Sequence, residues 1–103
     1  MPAPKQDPQT QAQPQARRVP LGMLMITIGA LRAVPDEEMK AALQRHAQCD
    51  WGEVDQEDWQ ANDRSLESDL RLLSAYHTAK GVKFWIITEA DRSQTTVLLP
   101  EDY

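Results

Sequence analysis

The first run of apolar residues, at positions 21–28, alternates in a way that predicts a β-strand. Large aliphatic residues occupy every second position, at Leu24, Ile26 and Ile28. The positions between them are also mostly apolar, and two hydrophobic faces are typical of a strand that is covered on both sides. Gly29 is expected to end this strand, and a short helical turn is expected to follow it.

The next segment has the period of an amphipathic helix that begins at Pro35 and ends near Gln48. Proline suits the first helical position, and the three acids after it suit the positive end of the helix dipole. The apolar residues recur every three or four positions and form one face: Met39, Ala42, Leu43, His46 and Ala47. We therefore expect His46 at the edge of the core, with a satisfied hydrogen bond.

A second main helix is predicted to begin after Asp55. Its side chain suits an N-cap because it can accept a hydrogen bond from the backbone amide near Asp58. The apolar stripe of this helix is narrow, with Asn62 between the apolar positions Trp59, Leu66 and Leu70. A helix of this kind packs along one seam, and the rest of its surface faces water.

The C-terminal third favours β-structure in three segments separated by polar turns, at residues 72–78, 82–88 and 95–99. The connections are short, so an antiparallel meander is expected, with the doubly apolar middle segment in a central position. Together with the first strand and the helices, this predicts an α+β fold in the order β-α-α-β-β-β. Its sheet is four-stranded and mainly antiparallel, with two main helices packed on one face.

Residues 1–20 differ from the rest of the chain. They contain five prolines and five glutamines, and Val19 is their only large aliphatic residue after Met1. Such a segment cannot bury enough apolar surface to offset its chain entropy, so we expect a disordered tail. Residues 21–103 then form a single domain. A domain of this size has room for one small core, and no bound cofactor is expected.

Cys49 is the only cysteine, which excludes an internal disulfide and a four-cysteine zinc site. A cytoplasmic location is therefore expected. The longest apolar stretch is too short and too interrupted to cross a bilayer, so no membrane span is expected. His46, Cys49 and Asp50 are close in sequence, but they form an incomplete ligand set that no second cluster completes, and no metal site is expected.

Negative charge is concentrated between residues 36 and 69. Eleven acids and three bases give this segment a net charge of −8, whereas the whole chain carries −5. Because such a surface repels phosphate backbones, direct nucleic-acid binding by the folded domain is disfavoured, and a basic protein surface is the expected partner. An exposed sheet edge could also pair two copies of the chain into a homodimer.

Acids and aromatic residues around the start of the second helix form the candidate binding site: Asp50, Trp51, Glu53, Asp55, Asp58 and Asn62. An exposed Trp51 among carboxylates would suit an arginine or lysine of the partner through cation–π and ion-pair contacts. The alternative is that Trp51 and Trp59 anchor the helices on the sheet. The site predicts an acidic, non-enzymatic interaction protein, such as a regulator or inhibitor of a protein that handles nucleic acid.

The polar loop at residues 89–96 supports an alternative function. Glu89, Asp91 and Arg92, with His77 near the same sheet edge, could perform acid–base chemistry like that of small ribonuclease toxins. The same residue types are ordinary loop material, and Asp91 paired with Arg92 or Thr95 would make a self-satisfied turn. The sequence contains no nucleophile elbow, P-loop, zinc-helix signature or dinucleotide fingerprint, so no local motif indicates an enzyme.

Several segments of residues 21–103 carry a family resemblance: Asp50-Trp51-Gly52, Ser74-Ala75-Tyr76, Trp85-Ile86-Ile87-Thr88-Glu89-Ala90-Asp91-Arg92-Ser93, Thr95-Thr96, Leu98-Leu99-Pro100-Glu101 and Tyr103. They resemble short bacterial proteins of mobile genetic elements, commonly labelled plasmid-related protein or type I restriction endonuclease subunit M. A methylation subunit needs a cofactor-binding domain far larger than this chain. The resemblance therefore implies a plasmid-related protein of a mobile element, and it carries over no catalytic residues.

Overall fold

The computed structural model describes residues 18–103, and its main elements follow the predicted order. The elements are β1 (Met23–Ile26), α1 (Ile28–Ala33), α2 (Asp36–Ala47), α3 (Gln56–Ser68), β2 (Leu72–His77), β3 (Lys83–Thr88), β4 (Gln94–Leu98) and a 3₁₀ helix (Pro100–Asp102). The predicted α+β class, with a four-stranded mainly antiparallel sheet and two main helices, α2 and α3, is confirmed. Among residues 18–103, no helix is both long enough and apolar enough to cross a membrane.

The sheet has the strand order β1-β4-β3-β2. β2, β3 and β4 form the predicted antiparallel meander, and β1 adds to its far side parallel to β4. The prediction that β1 is covered on both sides is wrong, because Met23, Leu24 and Met25 are 65%, 45% and 43% exposed. β1 is an edge strand with a single neighbour, so its two apolar faces are not enclosed as those of a central strand are.

Two apolar clusters hold the helices against one face of the sheet. The larger joins α1 and α2 to the sheet and includes Met39, Ala42, Phe84, Ile86 and Val97. The smaller contains Val19, Cys49, Trp51 and Leu72, with Trp59 and Leu66 of α3 packed against it. Full burial of one large apolar side chain contributes about 1.5–3 kcal/mol, so these clusters fix both main helices on the sheet.

The folded part of the chain begins before residue 21. The sequence predicts a tail that extends to residue 20, but Val19 already packs into the core. Val19 is 4% exposed and belongs to the smaller cluster. Its backbone amide donates a hydrogen bond to the carbonyl oxygen of Ala47 at 2.8 Å. The remainder of the predicted tail, residues 1–17, lies outside the described residues.

Local interactions set both ends of α3. Asp55 Oδ1 accepts a hydrogen bond from the amide of Asp58 at 2.8 Å, which confirms the predicted N-cap. At the other end, Asp69 adopts the left-handed conformation, with φ 53° and ψ 49°, and this conformation stops the helix. Leu70, which the apolar stripe was expected to include, lies beyond this cap and is 57% exposed.

The outer edge of β2 is covered by other parts of the chain. Asn62 Nδ2 of α3 donates to the carbonyl oxygen of Leu73 at 2.8 Å, and Asn62 Oδ1 accepts from the Leu73 amide at 3.1 Å. Two residues further along, the Ala75 amide donates to the Trp51 carbonyl at 3.2 Å, and the Glu53 amide donates to the Ala75 carbonyl at 2.7 Å. A side-chain amide and a short backbone segment therefore take the place of a further strand.

A buried chain of side-chain hydrogen bonds runs between α2 and the sheet. Ser74 Oγ lies 2.6 Å from His46 Nδ1, and His46 Nε2 lies 2.8 Å from Thr88 Oγ1. Thr88 Oγ1 is 2.7 Å from Thr95 Oγ1, which donates to the carbonyl oxygen of Leu21 at 2.8 Å. The chain of bonds therefore links α2, three strands and the residues just before β1.

The direction of each hydrogen bond in this series is fixed by its last acceptor, the carbonyl oxygen of Leu21, because a carbonyl oxygen can only accept. Thr95 uses its one hydroxyl hydrogen on Leu21, so Thr95 accepts from Thr88, and Thr88 in turn accepts from His46. Nε2 of His46 therefore carries the proton and Nδ1 is an acceptor. Burial, assisted by the positive charge of Arg92, lowers the pKa of His46 from 6.5 to about 4. This histidine is neutral in the folded protein at neutral pH.

Candidate functional site

Trp51 belongs to the core, so the prediction of an exposed binding tryptophan is wrong and the anchoring alternative applies. Its side chain is fully buried, and its Nε1 donates to Asp63 Oδ1 at 3.0 Å. Its ring meets the ring of His46 edge-on, with 5.4 Å between the centroids. Gly52 has φ +75°, and a Cβ there would lie 2.1 Å from the Ala75 carbonyl oxygen. This close approach of the two backbones brings the segment around Gly52 against β2, and it directs the side chain of Trp51 into the core.

Three other predicted binding residues are also engaged within the fold. Asn62 is 6% exposed, and both its side-chain nitrogen and its side-chain oxygen are hydrogen-bonded to the backbone of Leu73 in β2. Asp50 pairs with Arg45 at 2.8 Å, and this hydrogen bond lowers the pKa of Asp50 and raises the pKa of Arg45. Glu53 Oε2 is hydrogen-bonded to Nδ1 of His77 at the surface. The Asp50 carboxylate, which is paired with Arg45, contributes less to the negative surface than the sequence suggests.

The last two predicted binding residues, Asp55 and Asp58, belong to an acidic surface that extends along α3. We define the α3 acidic face by its five exposed carboxylates: Asp55, Glu57, Asp58, Glu67 and Asp69. Within residues 18–103, none of the five forms an ion pair. Residues 55–69 contain these five acids, the half-buried Asp63 and a single base, Arg64, which is a net charge of −5.

The carboxylates at the two ends of the α3 acidic face relate differently to the helix dipole. Glu57 and Asp58 lie in the first turn, where negative charge stabilises the helix. Glu67 and Asp69 lie at the opposite end, where an exposed negative charge costs about 0.3–1 kcal/mol, and the last turn contains no basic residue. The helix dipole therefore accounts for the first pair of acids and does not account for the second pair, of which Asp69 also serves as the left-handed C-cap.

Sequence reasoning did not single out Glu57, Glu67 or Asp69, although a signal for the first two was available. Glu57 and Glu67 fall outside the apolar seam that Trp59 and Leu66 define, and positions outside such a seam face water. Asp69 follows the spacing of the seam, three residues after Leu66, and it is exposed because it lies beyond the last residue of the helix.

Arg92, a predicted catalytic candidate, connects the β3–β4 loop to the end of α3. Its Nη2 donates to the carbonyl oxygen of Ser65 at 2.9 Å, and its Nη1 donates to that of Leu70 at 2.7 Å. Nη1 also lies within 3.1 Å of the Glu89 carbonyl and 3.2 Å of the Ala90 carbonyl. The guanidinium supplies the positive charge that the C-terminal end of α3 itself lacks. Arg92 therefore serves the fold.

The two acids of this loop are engaged as well. Asp91 Oδ1 accepts hydrogen bonds from the amide and the hydroxyl of Ser93 at 3.0 and 2.6 Å, and these bonds lower the pKa of Asp91. Asp91 therefore satisfies a turn, as in the alternative interpretation, but its partner is Ser93 and not the expected Arg92 or Thr95. Glu89 forms a longer ion pair with Arg71, at 3.5 Å.

His77 is remote from these loop residues, so the prediction that it shares a sheet edge with them is wrong. Glu89 follows Thr88, which pairs with Leu72 at the start of β2, whereas His77 pairs with Lys83 at its end. His77 lies five positions after Leu72 along the strand, which is about 17 Å at the usual rise. The four residues of the proposed ribonuclease-like site do not converge.

Residues 18–103 contain no group of three or more His, Cys, Asp or Glu side chains that could hold a metal ion. His46, Cys49 and Asp50 are close in sequence, but His46 uses both ring nitrogens for hydrogen bonds to Ser74 and Thr88. Asp50 uses its carboxylate for Arg45 and for the Gly52 amide. Within the fold, these two side chains serve separate partners.

Comparison of the chain with protein-family models, with curated proteins and with solved structures finds no match in any of the three.

Proposed function

We propose that the chain is a non-enzymatic interaction protein that binds a basic protein surface through the α3 acidic face. The observation that carries this proposal is a set of five exposed carboxylates, none of which has an ion-pair partner within residues 18–103. A concentrated field of one sign accelerates encounter with a partner of the opposite sign and disfavours partners of the same sign. Glu67 strengthens the case because a negative charge near the C-terminal end of the helix is unfavourable to the helix dipole.

The chemistry of the face indicates the kind of partner. Carboxylates pair best with arginine and lysine side chains, and clusters of these residues are typical of proteins that handle nucleic acid. The chain would then regulate or inhibit such a protein by covering its basic surface. Nucleic acid is not the proposed ligand, because its phosphates carry the same sign as the face. The resemblance to plasmid-related proteins supports a bacterial mobile element as the setting.

A pair of charge-matched variants tests the proposal. The first combines Glu57→Gln, Asp58→Asn and Glu67→Gln within the α3 acidic face. The control combines Asp36→Asn, Glu37→Gln and Glu101→Gln, which are exposed positions outside the face. Each triple removes three negative charges and takes two of them from the first turn of a main helix, so the dipole effects at these first turns are matched.

Capture of bacterial proteins on the immobilised chain, at low salt and at about 0.15 M salt, provides the measurement. The wild type and the control should capture the same basic protein, and salt should release it. The face variant should bind this protein roughly tenfold more weakly, as three surface charge pairs of about 0.5 kcal/mol each would give. The proposal fails if no basic protein is captured, or if both triples weaken capture equally.

A further inference from the structure

The backbone of β1 presents hydrogen-bonding groups on the side away from the sheet. Within residues 18–103, β1 pairs with β4 alone. The amides of Met23 and Thr27 donate inward, to the carbonyl oxygens of Ser93 and Val97, at 2.9 and 3.0 Å. Because alternate residues of a strand direct their N–H and C=O groups to opposite sides, the groups of Leu24 and Ile26 point outward.

The same edge is apolar and lacks the usual protection of an edge strand. Of the seven exposed large hydrophobic residues in 18–103, five fall within residues 23–31: Met23, Leu24, Met25, Ile28 and Leu31. Residues 21–31 contain neither a charged residue nor a proline. Unpaired edges are commonly blocked by lysine, proline or an inward-pointing charge, so the composition of β1 is that of an edge that is covered.

We infer that β1 pairs in the antiparallel direction with β1 of a second copy, about a two-fold axis at Met25. In this register, Leu24 lies opposite Ile26 of the second copy, and Ile26 lies opposite its Leu24. All outward N–H and C=O groups of these two residues then meet a complementary group. A closed two-fold pair requires the antiparallel direction, and two four-stranded sheets become one continuous sheet.

Charge distribution favours a second copy as the occupant of this edge. With a net charge of −5, two molecules repel each other over much of their surfaces. No acid occurs between Asp7 and Asp36, which is the longest acid-free stretch of the chain, and β1 lies within it. Pairing at β1 brings together two uncharged strands, and it keeps the acids of α3 on the opposite edge of the sheet.

The interface is small, since β1 has four residues and the exposed apolar side chains that follow it within residues 18–103 are Ile28 and Leu31 of α1. Interfaces of this size are at the weak end of specific association, and we expect a dissociation constant of roughly micromolar order. The pair should therefore dissociate on dilution.

Sedimentation equilibrium of the full chain over a roughly hundredfold concentration range tests the pairing. Met25→Lys places two ammonium groups face to face at the axis, and Leu24→Pro removes an outward amide without removing a bond to β4. Leu70→Lys is the control, because it adds the same charge at an exposed apolar site away from β1.

The wild type and the Leu70→Lys control should dimerise as concentration rises, and both β1 variants should raise the dissociation constant at least about tenfold. A wild type that stays monomeric throughout, or a dimer that survives both β1 substitutions, overturns the inference.

Amide hydrogen exchange of the wild type decides the question even if the β1 variants do not fold. The amides of Leu24 and Ile26 should exchange more slowly as concentration rises, while the inward Met25 amide should be unaffected. Slow exchange at every concentration would mean that another part of the chain covers the edge. Fast exchange at every concentration would mean that no second copy binds there. Either result overturns the inference.

Discussion

The two edges of the sheet differ in polarity, in charge and in the way they are covered. At the β2 edge, Asn62 and the segment around Gly52 satisfy the outward backbone groups, and α3 presents its acidic face beyond them. At the β1 edge, apolar side chains are exposed, and no strand among residues 18–103 pairs with the outer side of β1. The difference teaches that the two edges of one small sheet can differ in kind: one is closed and carries exposed charge, and the other is apolar and has backbone groups that point away from the sheet.

Replacing Trp51 should damage the closed edge most severely. Trp51→Ala removes a fully buried indole and its bond to Asp63, and we expect the free energy of unfolding to fall by about 3–5 kcal/mol. Urea unfolding monitored by circular dichroism measures this loss. Trp59→Ala is the control, since Trp59 is only partly buried and should cost clearly less. Equal losses for the two variants would contradict the role of Trp51 as the anchor of this edge.

Acid should destabilise the fold through His46, whose chain of hydrogen bonds ends beside β1. The folded pKa of about 4 lies below the ordinary value of 6.5, so between these values the unfolded chain binds more protons. Stability should therefore be fully present above about pH 6.5 and should fall as the pH decreases to about 4. The total loss from this one group is about 3 kcal/mol.

Urea unfolding across this pH range measures the loss, and His77→Ala serves as the control because His77 is the exposed histidine. The control should retain the same pH dependence. A stability that does not change between pH 6.5 and about 4, or a dependence that disappears in His77→Ala, would rule out His46 as its source.

Removing the side-chain amide that caps β2 should have a smaller effect. Asn62→Ala leaves the N–H and C=O groups of Leu73 without their partner, and we expect a loss of about 1–3 kcal/mol in the free energy of unfolding. Gln60→Ala changes an exposed position of the same helix and should be nearly neutral. If the two variants unfold at the same urea concentration, Asn62 does not hold the edge closed.

The features that could be predicted from the sequence depend on residues a few positions apart. Asp55 caps α3 because its carboxylate reaches an amide three residues ahead. His46 is buried because it repeats the helical spacing of Met39 and Ala42. The order of the elements follows from such local signals, and so the fold class was predicted correctly.

The features that could not be predicted depend on which distant segments lie side by side. Trp51 points inward because Gly52 bridges to Ala75, and Arg92 binds Ser65, which is 27 residues away in the sequence. The position of β1 is set by its pairing with β4, where Met23 meets Gln94. A local pattern with two apolar faces describes a central strand and an uncovered edge strand equally well, so it could not distinguish them.

Amide exchange at both edges of the dilute, monomeric chain tests the difference between them most directly. The outward amides of Leu73 and Ala75 are bonded to Asn62 and Trp51, whereas those of Leu24 and Ile26 point away from the sheet. We predict that the first pair is strongly protected and that the second pair exchanges nearly as fast as an unfolded chain. Equal protection of all four amides in the monomer would contradict the account.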